Sequence, residues 1–289
     1  MFPDISVAEL IRQRYSCRAY QRRAVEPGQA RHLQDYAHTI TGGPFGTPLR
    51  FELFVSSLED QDALKGLGTY GAIKDPAGFI IGAAPHGEMM LVDYGYALEQ
   101  VILYATGLDL STCWLGGNFT RTSFAKKIDA SRQEIIPAVA SVGYATPEIR
   151  SRDPQRLKVR SDTRLPWEEL FFKNGFAEGL AQPEAGPYAI PLDMLRLAPS
   201  AHNYQPWRVV QDGPCYHFYL KRTPGYGPGN PAFLLLGVVD LQRMEIGIAM
   251  SHFELAARQQ GLQGGWDARE DHAPSPPAKM EYIATWTSR

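Results

Sequence analysis

The hydrophobic pattern of this 289-residue chain is organised around two stretches that are apolar nearly all the way round a helix. Between 89 and 105, Leu91, Val92, Tyr94, Leu98, Val101, Ile102 and Ala105 are apolar, and only Asp93, Glu99 and Gln100 are strongly polar. A helix of that kind has to be covered on most of its circumference. The stretch 244–259, with Ile246, Ile248, Met250, Phe253, Leu255 and Ala256, has the same property, so the economical expectation is that the two helices cover each other. Ser6-Val7-Ala8-Glu9 has the form of a capping box and opens a shorter helix with Val7, Leu10 and Ile11 on its apolar face, ending near Arg14. A further helix is expected over 29–40. Strands are expected over 51–55, 77–83, 138–144, 216–220, 232–239 and 281–287; the second is a short apolar run entered through Pro76, which reads as buried. The mixture predicts an α+β or α/β fold with sheet packed on helices.

The pattern also repeats. Tyr70-Gly71, Asp75-Pro76-Ala77 and Phe79-Ile80-Ile81-Gly82 recur as Tyr226-Gly227, Asn230-Pro231-Ala232 and Leu234-Leu235-Leu236-Gly237 at an offset of 155 to 156 positions. Pro48-Leu49-Arg50-Phe51 matches Pro206-Trp207-Arg208-Val209 at 158, and Gly107-Leu108 matches Gly261-Leu262 at 154. The period is far longer than that of a solenoid. It predicts an internal duplication: one half over 1–165, a second over 166–289, and a crossover rich in Gly, Pro and charge near 146–190.

The balance of 29 basic against 31 acidic residues gives a net charge of −2 and no electrostatic case for nucleic acid or a membrane surface, so individual arginines need local explanations. Three cysteines, Cys17, Cys113 and Cys215, show neither paired nor metal-ligand spacing, which points to a reducing compartment. With no apolar run long enough for a span and no signal-peptide pattern, a cytoplasmic location is expected. The histidines show no metal spacing, and no metal is expected.

Three short runs carry candidate chemistry. In Arg14-Tyr15-Ser16-Cys17-Arg18, alternate residues of an extended chain would bring two guanidinium groups and a hydroxyl to one patch, suited to phosphate oxygens; the same run also suits a solvated basic helix end. Pro199-Ser200-Ala201-His202-Asn203-Tyr204-Gln205-Pro206-Trp207 packs a hydroxyl and two amides into a short loop before a strand, either for a ligand or for the loop's own backbone. Thr112-Cys113-Trp114-Leu115-Gly116-Gly117 ends in paired glycines that permit close approach of backbone N–H groups to a flat ligand, or simply form a turn.

Together these runs resemble the flavin-binding signatures of the nitroreductase family, and the resemblance covers most of the chain. It implies a nitroreductase-like α+β fold whose two halves form a monomeric pseudo-dimer, similar to the single-chain fused branch of that family. It further implies FMN between the halves. The phosphate and ring edge would fall to Arg14, Ser16 and Arg18, the second half's loop to Pro199, Ser200 and Asn203, and the backbone near N5 to Leu115, Gly116 and Gly117. Arg164, with Arg160 as the weaker match, would meet the phosphate, and Lys74 would contact the ring or ribityl chain. The implied activity is electron transfer from NAD(P)H through flavin to a small-molecule acceptor, with no catalytic side chain; the alternative is a flavin-binding store, sensor or flavin-modifying protein. At the offset of 158, Ser200, Asn203 and Gln205 face Gly42, Phe45 and Thr47, and no arginine occurs between Arg164 and Arg196. Each half has therefore lost a different part, and one complete site per chain is expected.

Overall fold

The computed structural model describes residues 5–56, 64–146, 151–226, 230, 238–269 and 273–289. Its centre is the crossing of two long helices, α3 (Met90–Gly107) and α7 (Leu241–Gln259), which pack against each other along much of their length. The crossing is tight because glycine meets backbone from both sides. A Cβ on Gly95 would lie 2.0 Å from the Met244 carbonyl oxygen, and one on Gly247 would lie 2.0 Å from that of Val92. Both helices are buried on nearly every face, as their sequences predict.

A sheet lies on either side of this pair. One runs β1 (Arg50–Val55), β2 (Gly78–Pro85), β5 (Val139–Gly143), β3 (Ser111–Leu115), with β4 (Glu134–Ile135) pairing to β2. The other runs β6 (Phe171–Lys173), β7 (Trp207–Asp212), β8 (Cys215–Lys221), β10 (Met280–Ser288), β9 (Gly264–Asp267). Leaving aside β4 and β6, each sheet with its long helix runs strand, strand, long helix, strand, strand along the chain, with the strands in spatial order first, second, fourth, third, all antiparallel. The fold is nitroreductase-like α+β. β6, which lies within the stretch expected to be the crossover, adds to β7 in parallel as an edge strand.

One core cluster, against the first sheet, gathers Phe51, Ile80, Tyr94, Leu98 and Val101; another, against the second sheet, gathers Trp207, Phe218, Phe253 and Trp286. Helix α1 (Val7–Gln13) is capped by Ser6, whose hydroxyl accepts the Glu9 N–H at 3.1 Å, and α2 (Pro27–Thr39) covers the first sheet. α1 packs across the helix crossing: Val7, Leu10 and Ile11 meet Leu103 of α3, Ala256 of α7 and Met194 of α6 (Ala189–Arg196). Two short helices, α4 (Arg121–Lys127) and α5 (Pro154–Lys158), complete the first half and the crossover.

The sequence pattern differs from the structure in several places: α4, α5, α6 and β6 are not expected from it, and three further differences concern strands. Residues 112–115, read as the approach to a glycine turn, are strand β3, held in place by β5 and by a bridge from Ser16 to Thr112. β9 carries two glycines and escapes detection. Of the expected strand 232–239, residues 232–237 lie outside the described residues, and Val238 and Val239 are not in a strand.

Candidate functional site

α1 stops where Arg14 leaves helical geometry (ψ 131°), and the extended chain then runs along the edge of β3, with Cys17 N–H donating to the Thr112 carbonyl at 2.9 Å. Opposite stands the loop before β7. His202, Asn203 and Gln205 all have positive φ (52°, 60° and 49°), a conformation that non-glycine residues enter only when their surroundings hold them there. The holding groups are visible. Gln205 is buried, its Oε1 accepts the Leu165 N–H at 2.9 Å, and its own N–H donates to the Ser200 hydroxyl at 2.9 Å. Asn203 Nδ2 donates to the carbonyls of Arg160 (2.9 Å) and Thr163 (3.1 Å), tying the loop to the crossover.

Between these two segments runs a groove. Its closed end is lined by Arg14, Ser16, Arg156, Ser161, Asp162, Arg164, Pro199, Ser200 and Asn203. Ser16, Ser161, Pro199 and Ser200 also line the next stretch, together with Arg18, Gly116 and Glu245. Arg18, Trp114, Gly116, Ala201 and His202 continue into an open cleft bounded by Leu115, Gly117 and Tyr226.

Three buried or half-buried guanidinium groups, those of Arg14, Arg156 and Arg164, crowd the closed end, with the exposed Arg12 at its rim. Arg14 is almost fully buried and lies 3.4 Å from the Glu99 carboxylate. Arg156, 4% exposed, pairs with Asp162, and among the described residues its Nε is buried without a partner. Arg164 donates to the carbonyls of Ser161 (2.7 Å), Thr163 (2.7 Å) and Leu197 (3.1 Å), and its Nε is likewise buried and unpartnered. Burial, followed by the like charge of Arg14, pushes the Arg164 guanidinium down to about 10. Such a cluster, with the carboxylates of Glu99 and Asp162 beside it, still carries excess positive charge.

Behind it lies a polar network inside the helix crossing. Glu99 accepts from Trp114 Nε1 at 2.7 Å and lies 2.9 Å from His252 Nε2, while His252 Nδ1 donates to the Met194 carbonyl at 3.0 Å. It links α3, α7, β3 and the end of α1, and so fixes Arg14 and Trp114 relative to each other. At the open end, Arg121 Nη2 takes the Gly116 carbonyl at 2.6 Å. In a trans peptide the Gly117 N–H must then point the opposite way. A side chain on Gly116 would strike Leu241 of α7 at 2.5 Å.

The expected residues are thus brought together unevenly. Arg14, Ser16, Arg164, Pro199, Ser200 and Asn203 meet at the closed end; Arg18, Leu115, Gly116 and Gly117 meet at the open end. Arg14 and Arg18 do not converge on one patch, because each is drawn to its own carboxylate, Arg18 to Asp153 at 3.1 Å. Lys74 is exposed and outside the groove lining; its backbone N–H holds the Arg18 carbonyl at 2.8 Å instead. Arg160 is exposed on a turn with φ 49° and contributes its carbonyl to Asn203 rather than its charge to the groove. Cys17 and Cys113 are buried free thiols and Cys215 is half-buried. Sequence reasoning misses Arg156, Arg121 and Glu245. Only Glu245 carries a signal: it stands 152 positions after Asp93, the spacing that also separates Gly95 from Gly247.

Residues 6–257 match the family model described as "Putative TM nitroreductase", and the chain belongs to that nitroreductase family. Among solved structures it is similar over its whole length to a "putative nitroreductase" from Thermotoga maritima, with 20% identity, 99% of this chain and 95% of that chain covered, and a TM-score of 0.61. At that identity the likeness is one of fold. A nitroreductase family protein from Clostridium difficile (20% identity, 57% of this chain, 96% of that chain, TM-score 0.41) and a "putative NADH oxidase" from Clostridium acetobutylicum (24%, 47%, 87%, TM-score 0.37) are more distant in structure. No curated protein matches the chain. Among the described residues no helix is long and apolar enough to cross a membrane.

Proposed function

We propose that this chain is a cytoplasmic FMN-dependent oxidoreductase that takes electrons from NADH or NADPH and passes them to a small-molecule acceptor. The observation that carries the reading is the groove, with three guanidinium groups at its closed end and backbone amide, Arg18 and aromatic side chains at its open end. That distribution suits an elongated ligand with a dianionic tail and a planar, hydrogen-bonding head. The fit to a phosphate is supported by the buried, unpartnered Nε atoms of Arg156 and Arg164 and by the charge crowding on Arg164.

In this reading Arg14, Arg156, Arg164 and Ser16 hold the phosphate. Pro199 and Ser200, fixed by the strained loop, wall the groove. Arg18 and the Gly117 N–H offer positive charge and a donor to the ring. The bound flavin supplies the hydride and electron chemistry. His202, Tyr204 and Tyr226, with ring centroids 5.3 to 6.2 Å apart, form an aromatic cluster beside the open cleft, where a planar acceptor or a nicotinamide could stack.

The matching strand order, the reciprocal glycine crossing and the shared 152-residue spacing support an internal duplication with halves at 1–165 and 166–289, and a monomeric pseudo-dimer with one composite site. The other half's loop supports the same view: Asp93 accepts the N–H groups of both Phe45 and Thr47 at 2.9 Å, so its polar groups close on themselves. The test is anaerobic: FMN-loaded protein mixed with NADH or NADPH loses its oxidised flavin absorbance within turnover time. Persistence of the band with both donors refutes the oxidoreductase assignment and leaves a flavin-binding role.

A further inference from the structure

Glu245 of α7 is left without a role by the cofactor reading, yet it stands in the middle of the groove. Its Oε1 accepts the Ala201 N–H at 2.7 Å, so it supports the loop from Ser200 to Pro206 from below. Its Oε2 is buried and, among the described residues, has no hydrogen-bond partner; the residue as a whole is only 4% exposed. The side chain lines the stretch that also contains Ser16, Arg18, Pro199 and Ser200. The comparison with Asp93, 152 positions earlier, is instructive. There both carboxylate oxygens are satisfied by backbone N–H groups, and nothing is left for a ligand.

A buried carboxylate with a single donor is an expensive arrangement, whereas a neutral acid with a free O–H needs one acceptor. Desolvation pushes Glu245 up to about 8; the Ala201 N–H opposes the rise and the charge of Asp240 adds to it. The other charged or titratable groups around it are Arg18, engaged with Asp153, and His202 and Tyr226 across the groove. Asp240 is itself paired with Arg222 at 2.7 Å.

We propose that Glu245 acts as a neutral carboxylic acid that donates a hydrogen bond from Oε2 to a carbonyl oxygen or ring nitrogen of the flavin held in this groove. The inference rests on the FMN reading above and adds a binding residue to it. Glu245 then joins the two ends of recognition: one oxygen fixes the strained loop, the other addresses the ligand that the loop encloses.

The test is a titration of flavin-stripped wild type and Glu245→Gln with FMN between pH 7 and 9, followed by flavin fluorescence, with thermal unfolding of each apo protein as the control for folding. Gln keeps an oxygen for the Ala201 N–H and presents an N–H donor that does not titrate. Wild type should bind with constant affinity up to about pH 8 and then weaken about tenfold per pH unit, while Glu245→Gln stays within about threefold of wild type at pH 7 and has a flat profile. Arg164 titrates above this window. A flat wild-type profile, an equal alkaline loss in both proteins, or a folded Glu245→Gln variant that loses binding more than about tenfold at pH 7 overturns the proposal. A wild type that binds no FMN at any pH overturns the cofactor reading itself, a result seen before any variant is compared.

Discussion

Replacing Arg164 by methionine separates ligand binding from structural support. The guanidinium makes three bonds to backbone carbonyls, each contributing roughly 1 kcal/mol net. Against this stands the cost of holding its charge in a buried, positively charged corner. A fall from 12.5 to about 10 corresponds to about 3 kcal/mol. The two nearly cancel, so the apo protein should change its stability by less than about 1.5 kcal/mol, a shift of a few degrees in Tm for a chain this long. FMN affinity should behave differently. Loss of a charge-assisted phosphate contact costs about 1.5–3 kcal/mol, or roughly 10- to 150-fold in Kd. Riboflavin, which lacks the phosphate, should change by less than about threefold. The assay is a pair of fluorescence titrations with FMN and riboflavin on the same protein. Equal weakening of both ligands would mean that Arg164 shapes the groove rather than meeting the phosphate, and no weakening of either would move the anion site elsewhere.

Other consequences can be measured independently. A valine at Gly247 would place its Cβ 2.0 Å from the Val92 carbonyl oxygen, a backbone atom that cannot give way, so Gly247→Val should lower stability by more than about 3 kcal/mol. A Tm within 2 °C of wild type would contradict the helix crossing. Glu245 has a native pKa above its unfolded value, so the native state holds an extra proton and stability falls as pH rises from about 4.5 through about 8. Urea unfolding at pH 5 and pH 9 should therefore show Glu245→Gln gaining about 4 kcal/mol on wild type across that interval, and no relative gain would place the carboxyl in a polar setting. Glu99→Ala removes the carboxylate shared by Arg14, Trp114 and His252 and should cost about 3–5 kcal/mol by chemical denaturation; a loss below about 1 kcal/mol would mean that water replaces it readily.

The two central helices are legible in the sequence because a pattern apolar on every face admits few other solutions, and the polar exceptions Asp93 and Glu99 prove to be the residues that tie loops and halves together. β3 and β9 are not legible, since strands of five and four residues flanked or interrupted by glycine carry no alternation to detect. The same limit applies to the site. Arg14, Arg18, Ser200 and Gly117 stand in recognisable local runs. Arg156 does not, because α5 brings it to the groove through the Asp153 cap and the path of the crossover, which no local period encodes. Lys74 and Arg160 fit the expected pattern by position, yet both are exposed: Lys74 sits in a backbone bridge to Ala19 and Arg160 on a turn with positive φ. Glu245 is hidden by its helix, where it reads, like Glu254, as a polar exception to an apolar stretch until its counterpart Asp93 is set beside it.

The most direct test of the account is the number of flavins one chain holds. FMN added in excess, followed by removal of unbound ligand and determination of flavin and protein in the same sample, should give one FMN per chain, lodged between Arg14 to Arg18 of one half and Pro199 to Asn203 of the other. Two per chain would contradict the complementary loss of the two pseudo-symmetric sites, and none would contradict the cofactor assignment.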